Sequence, residues 1–109
     1  MAYNEGLAND IRALLANRPH VVAKKMFGGI GFILNGNMAV GVLGDELLVR
    51  VTPEQFEALR AEPHVRLFDM TRRVSRGWLV VTPPGLAMDE ELQRWVARGV
   101  AVAETLPPK

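Results

Sequence analysis

Residues 24–32 read KKMFGGIGF, with two lysines and an aromatic set against three glycines in four positions. Glycines packed this way serve either a loop that cradles phosphate or a strand whose own shape needs them. A dinucleotide fingerprint would require a third glycine where Leu34 stands, followed by a helix whose N-terminus meets the pyrophosphate. Here Gly29-x-Gly31 runs instead into the apolar residues Phe32, Ile33 and Leu34 and then the dipeptide Asn35-Gly36. That dipeptide suits a type I′ hairpin, because both central residues need positive φ. The stretch therefore reads as a strand, and glycines within a strand mark a bulge, a bend or a close approach of backbone.

Working outward, Gly44-Asp45 offers a second tight turn, so three antiparallel strands follow at about 26–34, 37–43 and 46–51. Before them, Leu7, Ile11, Leu14 and Leu15 share one face of a helix that ends at Asn17-Arg18-Pro19. After them, Thr52 with Pro53 and Gln55 gives a capping box, and Phe56 and Leu59 are the buried side of the second helix. Val65 to Met70 and Trp78 to Thr82 read as two more strands, closed by Pro83-Pro84-Gly85. The last helix starts at Asp89-Glu90-Glu91, where acids complement the helix dipole, and buries Leu92, Trp95, Val96, Gly99 and Ala103. The order α-β-β-β-α-β-β-α predicts a two-layer α+β domain with a five-stranded antiparallel sheet, in a single domain over residues 1–109.

The I′ turn sets a register in which Phe32 faces Ala39, Ile30 faces Gly41 and Gly31 faces Val40. One face then carries Ile33, Met38, Val40, Val42, Leu47, Val49 and Val51, expected to be the helix-covered core. The other carries Ile30, Phe32, Ala39, Gly41, Leu43, Leu48 and Arg50, too apolar for a face left to water. Ile30, Phe32, Leu48 and Arg50 are accordingly candidate interface residues. Two covers are open: a second copy of the chain, making a homodimer, or a helix or the C-terminal tail of the same chain.

Composition narrows the chemistry. The chain has 109 residues, 49% of them apolar and 23% charged, with a net charge of +1. It has the balance of an ordinary globular domain and shows no run of ~20 apolar residues able to cross a bilayer. With no cysteine, thiol catalysis, disulfides and thiolate metal sites are excluded, and a reducing cytoplasm is the default expectation. Ser75 is the only serine, and His20 and His64 are the only histidines, with nothing in their setting to orient a triad or pair metal ligands. Asp45-Glu46 and Asp89-Glu90-Glu91 are explained as turn and helix-start residues. The expectation is no enzyme, no cofactor and no metal. A nucleic-acid reading would use Arg72, Arg73 and Arg76 in the turn TRRVSRG, joined by Arg66, Lys24, Lys25 and Arg50, with Trp78 or Phe32 stacking on a base. A small-molecule sensor, with its ligand between helices and sheet, is the third reading.

Met26-Phe27-Gly28-Gly29-x-Gly31, a hairpin through Gly36, Leu47-x-Val49-Arg50, Gly77-Trp78 leading to Pro83, and a closing helix with Leu92 and Trp95 occur in that order. Over nearly the whole chain this resembles the N-terminal domain of the TfoX/Sxy family, with Met26, Phe27, Gly28, Gly29, Gly31 and Arg50 as the signature positions. The resemblance implies an antiparallel α+β domain of the kind also described for secretion-chaperone-like folds, standing alone without the regulators' second, C-terminal domain. It further implies a role in competence and transcription regulation exerted through an unidentified protein partner, and it carries no catalytic residues.

Overall fold

The computed structural model describes residues 3–26, 28–68 and 76–109, and its helices begin where the capping residues stand. Asn4 accepts a hydrogen bond from the Leu7 amide at the start of α1 (Glu5–Leu14). Thr52 and Gln55 close both halves of the capping box of α2 (Pro53–Leu59). Three acids open α3 (Asp89–Glu104). Between them lie β1 (Val21–Met26), β2 (Gly29–Leu34), β3 (Asn37–Leu43), β4 (Glu46–Arg50), β5 (Val65–Leu67) and β6 (Trp78–Val81), with a 3₁₀ turn at Pro83–Leu86 before α3.

Every strand pair is antiparallel, in the order β1-β2-β3-β4-β6-β5. The α+β class is as expected, but the sheet has six strands rather than five. The extra strand comes from the glycine stretch: Gly28 takes φ 77°, open to glycine at no steric cost, and sends the chain back so that Met26 pairs with Gly29. The run expected as one strand from 26 to 34 is thus the end of β1, a turn and β2. The Asn35-Gly36 turn forms as expected, with φ 52° and 84°.

The register corrects the assignment of faces. Leu34 pairs with Asn37 and Ile33 with Met38, as the turn dictates, but a β-bulge then slips the ladder so that Phe32 pairs with Val40, Gly31 with Gly41 and Ile30 with Val42. A slip of one residue exchanges the faces of everything beyond it. Ile30 and Phe32 therefore join Val40, Val42, Leu47, Val49, Leu79 and Val81 in the core, and Ala39 lies there too. The helices bury Ala8, Ile11, Phe56, Leu92, Trp95, Val96 and Val100 in the same cluster, so the helix layer covers that face. Helix α3 comes closest at Gly99, where an added Cβ would collide with the Ala39 carbonyl oxygen and stand 2.7 Å from Val40 Cγ1. The C-terminal tail docks at the β2–β3 turn: the Lys109 amide donates to Asn35 O at 2.9 Å, and Asn37 Nδ2 donates to Pro107 O at 2.9 Å.

Candidate functional site

The face turned away from the helices is built by strand alternation. Val22, Lys24 and Met26 of β1 stand on it, then Gly31 and Ile33 of β2, Met38, Gly41 and Leu43 of β3, Glu46, Leu48 and Arg50 of β4, and Trp78 and Val80 of β6. Its centre is apolar, and Ile33, Met38, Leu43 and Trp78 are each only partly buried. Gly31 and Gly41 face each other across β2 and β3, and the missing side chains let methionine side chains pack down onto the sheet. Met38 lies over both, with its Sδ 2.9 Å from where a Gly31 Cβ would be and its Cε 2.8 Å from where a Gly41 Cβ would be. Beside Met38 a cavity of about 190 Å³ opens, walled by Met26, Met38, Leu43, Leu48 and Trp78, with Gly41 also in its lining. Phe68 and Ile30 border it.

Arg50 touches two of the wall residues. Its Nε donates to Met38 O at 2.6 Å, and its guanidinium stacks on the Trp78 ring, 4.5 Å from the centroid. Burial pushes its pKa below the ordinary guanidinium value. Arg66 is different: it reaches over β6 to clasp both carboxylate oxygens of Glu46, at 2.5 and 3.2 Å.

Of the four candidate interface residues, Leu48 and Arg50 lie on this face, while Ile30 and Phe32 are 3% and 2% exposed in the core. Of the signature positions, Gly28 makes the β1–β2 turn and Gly29 passes close to the Val42 carbonyl. Met26 is in the cavity wall, Arg50 holds the wall residues Trp78 and Met38, Gly31 lies beneath Met38, and Phe27 lies outside the described residues. Arg72 and Arg73 also lie outside them, as does Ser75, while Arg76 is 3.8 Å from the carboxylate of Glu57. Trp78, expected as a stacking residue, has its face taken by Arg50. Met38 and Gly41 were not among the expected site residues. Their signal is the bulge, which the turn dipeptide does not announce.

Among the described residues no three His, Asp or Glu side chains gather as metal ligands, and no helix is long and apolar enough to cross a membrane. The described residues thus form a six-stranded antiparallel sheet with helices on one face and an apolar cavity on the other. The family model described as the TfoX N-terminal domain matches residues 13–103, and the chain belongs to that family. A crystal structure of a Deinococcus radiodurans protein with a DUF419 domain is similar in fold, with a TM-score of 0.67 at 20% identity, covering 87% of this chain and 76% of that one. Comparison with curated proteins gives no match.

Proposed function

We propose that the chain is a non-enzymatic regulatory module of the TfoX type that acts by protein–protein contact through the open face of its sheet, first with a second copy of itself. The observation that carries this reading is the run of partly buried Ile33, Met38, Leu43 and Trp78 on a face that no described helix covers. Apolar surface of this kind is stabilised by about 25 cal/mol for each Å² taken out of water. Membership of the family supports the regulatory class, and a part in competence or transcription regulation is the corresponding biological role.

Sedimentation equilibrium between about 1 and 100 μM, the range in which association of modest affinity shows, tests the contact. The expected result is a species heavier than the 12.0 kDa chain, returned to monomer by Ile33→Glu, which places a charge on the apolar face. A monomer at every concentration would refute self-association.

A further inference from the structure

The open-face cavity combines two features that one small molecule would satisfy together. The first is its size. At about 190 Å³ it is of the order of the engineered apolar cavities, ~150 Å³, that stay dry and take up benzene. It fits one ring or a short branched chain, and its walls of thioether, leucine and indole are mostly apolar.

The second is the charge held against its wall. Glu46 is the acid on this face among the described residues, and both its oxygens are engaged by Arg66. Among the described residues Arg50 has no carboxylate within ion-pair distance, and its hydrogen bond there is from Nε to Met38 O. Its terminal Nη groups keep their donors, in a fork that matches a carboxylate. Stacking on Trp78 and the bond to Met38, both wall residues, fix that fork against the wall. Lys24, opposite Gly31 on the same face, adds a second positive charge. A guanidinium partly desolvated without a counter-ion gains more from an arriving anion than one in water does.

We propose that this cavity binds a small carboxylic acid with an aryl or branched-alkyl tail, the tail lying between Met26, Met38, Leu43, Leu48 and Trp78 and the carboxylate held by the Nη groups of Arg50. This goes beyond the protein-contact reading and stands if that reading fails. Binding is non-covalent, and the carboxylate arrives ionised, so no proton is exchanged at neutral pH.

The test is an NMR titration of the intact chain with three probes: phenylacetate, its neutral isostere phenylacetamide, and acetate. Phenylacetate is expected to shift the Gly31 and Gly41 amides and the Met26 and Met38 methyls saturably, with a Kd near or below about 1 mM. Loss of either the charge or the ring is expected to weaken binding about tenfold or more. In Arg50→Gln, phenylacetate should bind no better than phenylacetamide binds the wild type. Arg50→Lys, which keeps the charge but not the fork, should restore part of the preference. The wild-type probe comparison holds even if Arg50→Gln unfolds. Absence of shifts at those four residues, equal binding of acid and amide, or an acid preference that survives in Arg50→Gln would each overturn the proposal.

Discussion

Replacing Gly99 by alanine sets two physical effects against each other, and the sign of the result decides between them. Gly99 lies within α3, where alanine is a better helix former than glycine by about 1 kcal/mol. Judged by propensity, the variant gains that much. Judged by packing, the new methyl carbon collides with the Ala39 carbonyl oxygen and stands 2.7 Å from Val40 Cγ1 and 3.1 Å from the Ala39 carbonyl carbon. Two of those atoms are backbone of a central strand and cannot turn aside, so α3 must lift from the sheet. A gap of ~0.5–1 Å forfeits a quarter to a half of the attraction between facing atoms, and overpacking of this kind costs about 1–3 kcal/mol. The clash is with backbone, so the upper part of that range applies, and the net expectation is a loss of about 1–2 kcal/mol. For a domain of about 100 residues this lowers Tm by roughly 5–15 °C. Urea and thermal unfolding followed by circular dichroism measure it. Ala101→Gly, at an exposed position of the same helix, calibrates propensity alone. A Gly99→Ala protein as stable as wild type, or more so, would refute the close approach of α3 to β3.

Two further expectations rest on single interactions. Asn37→Ala removes the side chain that holds Pro107 O, so stability should fall by about 1 kcal/mol and the Lys109 amide, now bonded to Asn35 O, should exchange faster with solvent; unchanged protection would detach Asn37 from the docking of the tail. Because burial lowers the Arg50 pKa, the folded state disfavours its charged form at any pH where the unfolded state is also charged, and relief comes only as pH rises through the folded pKa in the strongly alkaline range; Arg50→Gln should therefore leave the shape of the stability profile between about pH 5 and pH 9 unchanged, and a new slope there in urea midpoints would contradict the assignment.

Local signals made much of the fold legible. Thr52, Pro53 and Gln55 act within one turn of helix, Asn35-Gly36 within one hairpin, and Asp89 to Glu91 at one helix end, so each is decided by neighbours in sequence. The apolar stripe of α3 was likewise readable, and all five of its expected residues are buried. What escaped the sequence depends on distant partners. Val21–Met26 has a largely exposed edge-strand pattern and carries no period that marks it as a strand. Nothing in Met38-Ala39-Val40 signals that one residue will bulge, because the bulge answers to α3 and to what lies across the sheet.

That single bulge links the core to the candidate site. In the register set by the turn alone, Ile30 and Phe32 would lie on the open face and Gly31 would oppose Val40. The slip places both large side chains under the helices, where each gains about 1.5–3 kcal/mol over exposure, more than one unpaired ladder position costs at about 1 kcal/mol. The same slip brings Gly31 opposite Gly41, and the Met38 side chain packs down over both. The open face is thus the complement of the packing beneath it. Filling the core with Ile30 and Phe32 leaves glycines on the other face, and Met38, which covers them, walls the cavity beside it and accepts the hydrogen bond from Arg50.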